Sequence, residues 1–381
     1  MGDNRAVHVA IDLTSLLPNP TGVDNYLIHL VTHLGKVDQV RRYTIFVNYE
    51  DRQLFDGRLP ANFSVRPACF RSRPARLLFQ QVALPAAATL RGVDVVHSPA
   101  FLMPLYRGRQ RHVLTVYDLS FFTHPQCHIP LRRSTPYKRA LLASIRRADL
   151  ITVPSLFTRQ QILDLVPGTS ADRLRVVSPG IGDEFQPLSR NGARQRIPDF
   201  PLPSSYILFV GTIEPRKNLV RLVESYRRLL KTGAIAEHLV LAGRLGWDYE
   251  ELVRLVAAPD LAERVHLTGY VTQSDLPSLI AGARLFVYPS LEEGFGFPPL
   301  EAMACGIPTI SSRSSSLGEN LEGAADLVDP TDVEALAAAL HRSLHDENHR
   351  AMRIAQGLAC AARFRWNETA RQTISCYDAL G

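Results

Sequence analysis

Glu293 and Glu301 stand eight positions apart in the stretch SLEEGFGFPPLEAMACGIP, residues 290–308. Between them lie a small turn, Gly294, Phe295, Gly296 and Phe297, and the pair Pro298 and Pro299. Two carboxylates at this spacing accept hydrogen bonds from sugar hydroxyls without approaching metal-chelating geometry. The backbone N–H groups of 294–297 and the positive end of a following helix suit an anionic or hydroxylated ligand. A second constellation, GTIEPRKN at 211–218, puts Arg216 and Lys217 after a Glu-Pro turn and before a helix. Arg grips a diphosphate bidentately and Lys serves as a point charge. Cations at a helix N-terminus oppose its dipole, and that local cost favours a ligand role. Gly22, in NPTGVDN, permits close backbone approach to a phosphate. Asp118, after the run HVLTVY, is placed to orient or deprotonate a hydroxyl. His97 and His124 occupy comparable loop positions. Each has an ordinary structural alternative: a first-turn carboxylate for Glu301, a loop charge for Glu293, a solvated pair for Arg216 and Lys217, a common turn for Gly22, a cap for Asp118.

These residues need strands and helices to aim them. The run RLFVY at 284–288 reads as a buried strand and 300–305 as the start of a helix. Glu293 is therefore expected in a loop at the carboxyl end of a strand and Glu301 in a first helical turn, where open α/β sheets bind ligands. The run YILFV at 206–210 ends in the same way at Gly211. Repeated strand–helix alternation predicts parallel sheets covered on both faces. Helices are expected over 25–34, 76–90 and 138–148 and strands over 63–67 and 93–97. Residues 186–205 carry four prolines and little apolar periodicity, and read as a linker. The expected organisation is an α/β fold of two Rossmann-like domains, 1–187 and 206–362, with 188–205 between them and a terminal segment at 363–381. A cleft between two such domains is the default ligand site.

Composition narrows the function. The chain has 381 residues, 46% hydrophobic and 21% charged, as in an ordinary globular protein. No apolar run approaches the roughly 20 residues that span a bilayer, and the first residues lack the apolar core of a signal peptide. Five scattered cysteines without a C-x-x-C argue for reduced thiols, a cytoplasmic location and no structural zinc. A net charge of +6 favours an anionic partner but is too weak to imply nucleic acid. Arg71, Arg73 and Arg76, then Arg132, Arg133, Lys138, Arg139, Arg146 and Arg147 interleaved with Leu141, Leu142 and Ile145, form either a solvated helix face or a basic surface for anionic lipid. There is no D-x-D, H-E-x-x-H, Walker loop or G-x-S-x-G.

The stretches SLEEGFGFPPLEAMACGIPTI, YILFVGTIEPRKNL, RLRVVSPGIGDEF and RVHLTGYVTQSDL together resemble the family 4 retaining glycosyltransferases of GT-B fold (glycosyl transferases group 1), mannosyltransferase types of surface polysaccharide assembly above all. The resemblance runs through nearly the whole chain. It implies two Rossmann-like domains facing a cleft, with the nucleotide sugar held mainly by the second and a C-terminal helix crossing back to the first. It implies Glu293 on the donor sugar, Glu301 on the nucleotide ribose, and Arg216 and Lys217 on the diphosphate. Phe295, Gly296 and Phe297 match the loop touching sugar and phosphate, Val271 the segment whose backbone meets the base, and Gly22 the glycine facing the diphosphate. Where the family often has His-Asp, this chain has Tyr117-Asp118, and Thr212 stands where many relatives carry Arg. The implied activity is metal-independent transfer of a hexose, mannose from GDP-mannose as first choice, to a lipid-linked glycan. No cofactor is expected beyond the nucleotide sugar, and the place is the cytoplasm or its membrane face. A nucleotide-sugar epimerase, a phosphorylase and a non-catalytic nucleotide-sugar-binding scaffold are the alternatives.

Overall fold

A computed structural model describes residues 6–18, 22–127, 131–197 and 202–380, with the side chains of 131–134 left aside. Arg132 and Arg133 of the basic set, and residues 19–21 of the Gly22 loop, thus lie outside the described side chains. The chain forms two compact units. The first is Met1–Leu119, Leu131–Gly180 and Arg365–Gly381; the second is Ser120–Pro130 and Ile181–Phe364.

The first unit is built on a parallel sheet of seven strands: β1 (His8–Asp12), β2 (Arg42–Asn48), β3 (Phe63–Cys69), β4 (Val95–Ser98), β5 (Arg111–Thr115), β6 (Leu150–Val153) and β7 (Leu174–Val176). Their order is β3-β2-β1-β4-β5-β6-β7. Runs such as HVAID and LITV are buried throughout, as a sheet covered on both faces requires. β3 runs past Pro67 to Cys69; it is an edge strand, where a missing N–H breaks no ladder. The last helix, Trp366–Asp378, belongs to this unit. Trp366 stacks on His29 with ring centroids 5.0 Å apart and meets Tyr26 edge-on at 5.6 Å. Tyr377 shares a 2.8 Å hydrogen bond with buried His97, so this histidine is spent inside the unit. The backbone of Trp366 passes so close to Gly180 that a Cβ there would lie 2.1 Å from its nitrogen.

The second unit holds β8 (Tyr206–Val210), β9 (His238–Ala242), β10 (Val265–Gly269), β11 (Leu285–Tyr288), β12 (Thr309–Ser312) and β13 (Asp326–Val328), all parallel. Their order is β10-β9-β8-β11-β12-β13. β8 and β11, far apart in sequence, are central neighbours, with Leu285 opposite Ile207.

Three local elements differ from the sequence expectations. The 186–205 stretch contains a helix, Arg190–Arg196, capped by Ser189 and anchored in the core by Ala193 and Ile197. Pro187 precedes the helix and Pro203 follows it, while Pro198 and Pro201 lie outside the described residues. The helix expected over 76–90 is Arg73–Leu78, a wider π turn Phe79–Ala83, then Leu84–Leu90. Pro85 follows the wide turn and has no N–H for the carbonyl of Gln81. The helix expected from 138 begins at Leu131 and continues through Pro136. All five cysteines are buried and free.

Candidate active site

The second sheet reverses its strand order between β8 and β11. At such a switch point two loops diverge from neighbouring carboxyl ends and leave room for a ligand. Here they are the loop after β8, with Arg216 and Lys217, and the loop after β11, with Glu293. The first loop closes in a 3₁₀ turn, Pro215–Lys217, and Asn218 follows with φ 60° in the left-handed region. Asn218 Nδ2 donates to Pro289 O at 3.1 Å and Pro330 O at 2.6 Å, tying three loops together. Leu291 N donates to Arg216 O at 2.8 Å. The cations are thus fixed to the β11 loop by main chain as well as by charge.

Glu293 is the hub. Lys217 Nζ lies 2.5 Å from its Oε1, and Arg216 Nη1 lies 2.9 Å from its Oε2. Tyr288 Oη and Ser290 Oγ also donate to Oε1, at 3.1 and 2.6 Å. Lys217 Nζ donates in turn to Tyr288 Oη at 2.8 Å. Arg216 uses its other edge on Glu214 Oε1 at 2.8 Å and gives Glu292 O a 2.5 Å bond. Burial alone raises the Glu293 pKa, but the charges of Arg216 and Lys217 override it and hold the carboxyl at about 2. Burial, then the charge of Arg216, lowers the Lys217 pKa, with Glu293 and Glu214 opposing. The two cations, expected on a diphosphate or else as a solvated pair, are therefore matched to carboxylates.

The turn after Glu293 is held from below. Ser315 Oγ accepts from Glu293 N at 3.0 Å, Ser316 Oγ donates to Glu293 O at 2.7 Å, and Asn320 Nδ2 donates to Phe295 O at 2.8 Å. Phe295 is buried against Phe297 and Phe364, with centroids 5.1 and 5.4 Å away. Gly294 is buried, and Gly296 has φ 93° with Leu317 Cδ2 only 2.4 Å from where a Cβ would stand. Only glycine fits there. Gly296 caps the helix Phe297–Ala304, whose first turn contains Pro298 and Pro299. Prolines are tolerated there because first-turn N–H groups have no helical acceptor. The helix therefore begins earlier than the expected 300, and Glu301 sits in its second turn, not its first. Glu301 is half-buried, and burial, with Glu184 adding, pushes its pKa up to about 8.

Val271 is buried beyond β10 in the same unit. Gly22 and Asp118 lie in the first unit: Gly22 opens the helix Gly22–Val37, and Asp118 follows β5, half-buried. The structure thus brings Arg216, Lys217 and Glu293 into direct contact and sets 294–297 and Glu301 on the element that follows. Sequence reasoning passed over Glu214, Tyr288 and Ser290 as partners of that cluster; Glu214 and Ser290 lie inside the two recognised motifs, and Tyr288 ends the strand just before the second. In the segment 120–127, which belongs to the second unit, it singled out His124 alone and missed the attachment of the whole segment. Thr123 Oγ1 reaches both Glu292 oxygens at 2.9 and 2.8 Å, His124 Nδ1 lies 3.1 Å from Oε2, and Trp247 Nε1 donates to Cys127 O at 2.7 Å. No local signal marks such a long-range attachment.

Residues 193–358 match the family described as Glycosyl transferases group 1, and residues 20–185 match Glycosyltransferase Family 4. Over 374 residues the chain is 33% identical to O-antigen chain mannosyltransferase B of Escherichia coli, covering 94% of this chain and 96% of that one. The chain belongs to the family 4 glycosyltransferases. Solved structures of this GT-B architecture superpose on nearly all of it. Sucrose-phosphate synthase from Thermosynechococcus elongatus gives a TM-score of 0.79 at 20% identity, covering 98% and 99% of the two chains. HepE from Anabaena, solved with UDP and glucose, gives 0.75 at 18%, covering 98% and 100%. As a family 4 glycosyltransferase the protein is a transferase, and no helix among its described residues is long and apolar enough to cross a membrane.

Proposed function

We propose that the protein is a metal-independent, retaining hexosyltransferase that moves mannose from GDP-mannose to a hydroxyl of a growing, lipid-linked surface glycan. The 33% identity to an O-antigen mannosyltransferase over nearly the full length supports the sugar and the glycan. The observation that carries the chemistry is the placement of Arg216 and Lys217 at the switch point, in contact with Glu293 in the loop that leads into Phe297–Ala304. Such groups stabilise charge developing on a leaving diphosphate, worth about 3–4 kcal/mol per group in comparable settings. Glu293 and the 294–297 backbone orient the donor sugar, Glu301 takes the ribose hydroxyls, and the backbone at Val271 meets the base. Asp118 is the proposed acceptor-side residue of the first unit, and Gly22 its phosphate-facing glycine. Among the described residues no side chain stands out as a base for the acceptor hydroxyl; a donor phosphate oxygen takes the proton, consistent with same-face attack.

The membrane face is the proposed workplace. Pro74, Leu77, Leu78, Val82 and Ala86 form an exposed apolar stripe along 73–90, with Phe70 and Tyr49 in ring contact at 4.9 Å nearby. Arg73 is exposed beside it, while Arg71 is committed to Asp51.

A thermal-shift panel of GDP, UDP, ADP and dTDP tests the donor, since bound ligand stabilises by mass action; a shift by UDP alone excludes GDP-mannose. Turnover with chelator present, and product analysis by NMR, test metal independence and retention. Loss of activity in chelator that added metal restores, or an inverted product, removes that part of the proposal. Donor incubated without acceptor returns a new sugar only if the enzyme is an epimerase.

A further inference from the structure

Within the cluster, charges cancel. Arg216 and Lys217 face Glu214 and Glu293, and Lys217 Nζ donates to Glu293 and to Tyr288. A diphosphate arriving at this loop pair meets little net positive charge unless one carboxylate withdraws. Glu293 is the one that bridges both cations, with one oxygen on each. Its withdrawal is what would expose them.

We propose that Glu293 is a displaceable counter-ion, which makes the grip on the diphosphate conditional on the sugar attached to it. Hydroxyls of the donor sugar donate to Glu293 and draw it off Arg216 and Lys217, leaving both cations for the diphosphate. After transfer the nucleoside diphosphate brings no hydroxyl for Glu293. The carboxylate then returns to the cations, where Tyr288 and Ser290 still offer it donors, and drives the product out. The assignment rests on the proposed role of Arg216 and Lys217, and makes Glu293 a positioning residue for product release as well as a sugar contact.

Calorimetry on the full chain tests it, with inorganic pyrophosphate, GDP, UDP and GDP-mannose as probes. Glu293→Gln leaves the cluster with an uncompensated cation and should bind pyrophosphate and the bare nucleotide at least about tenfold more tightly. Its gain for GDP-mannose should be smaller, and product inhibition should deepen. Glu293→Asp keeps the charge and should keep the weak grip. A structural role predicts the reverse: a loosened loop weakens every probe. Unchanged or weakened binding of the bare diphosphates by a cooperatively melting Glu293→Gln protein overturns the proposal. A test without any variant is available too. Wild-type protein binding bare nucleotide tenfold more tightly than its sugar conjugate also overturns it. Lys217→Ala separates the two claims. If it binds pyrophosphate as well as wild type, the diphosphate role itself fails. If it loses binding while Glu293→Gln gains none, only the counter-ion role falls.

Discussion

Replacing Lys217 with Ala removes a buried ammonium that touches two side chains and no water-exposed surface of consequence. Turnover should fall at least about tenfold, or about 1.4 kcal/mol of transition-state stabilisation, while melting remains cooperative; steady-state rates and a thermal melt check both. The two glutamates should answer pH with opposite signs. Glu293 is held at about 2, below its ordinary 4.5, so its contribution to stability is present above the ordinary value and is lost as pH falls toward 2. Glu301 is raised to about 8, so the stability linked to its neutral form is full below about 4.5 and is lost as pH rises through 8. Near pH 7 Glu301 should therefore carry a proton before nucleotide binds. Two ribose hydroxyls donating to it favour the carboxylate, so nucleotide binding should release a proton. The binding enthalpy should then differ between HEPES and Tris by the buffers' ionisation heats, and Glu301→Gln should abolish that difference. A buffer-independent enthalpy in the wild type would remove Glu301 from the ribose.

Among the elements, the stripe on 73–90 carries the clearest consequence. Leu78 and Val82, 65% and 61% exposed, lie one turn apart on the same face. Leu78→Asp with Val82→Asp should cut sedimentation with anionic vesicles severalfold and leave nucleotide binding by the second unit intact; unchanged sedimentation would place the protein's lipid contact elsewhere. The strands, the two ligand loops and the glycine turn were legible because their signals are local: β-branched runs, punctuation by Gly and Pro, and helix starts after proline. Gly296 in particular reads correctly from sequence and is explained by its positive φ and by Leu317. What was not legible is tertiary. Nothing in GTIEPRKN announces that Lys217 is buried on Glu293, 76 positions away. The helix Arg190–Arg196 was hidden because four prolines in a short stretch read as a linker. The start of Phe297–Ala304 was misplaced because a proline pair looks like an end as readily as a first turn.

For the whole molecule, the chain's path matters as much as its folds. The last helix completes the first unit: Trp366, 5% exposed, stacks on His29, and Tyr377 is wholly buried against His97. Trp366→Ala should cost about 3–5 kcal/mol, as truncation of a large buried side chain does, and lower the melting temperature of the first unit while the second still binds nucleotide. Equal loss of nucleotide binding would mean that the two units do not fold independently. During synthesis the order of events is constrained in the same way. The pocket that Trp366 and Tyr377 fill stands open until all of 181–364 has been made, so apolar residues such as Tyr26 remain uncovered while a second sheet grows behind them. Folding intermediates with that surface exposed are the aggregation-prone species of large chains, and a newly made chain of this protein should depend on chaperones chiefly in the interval before its final helix arrives.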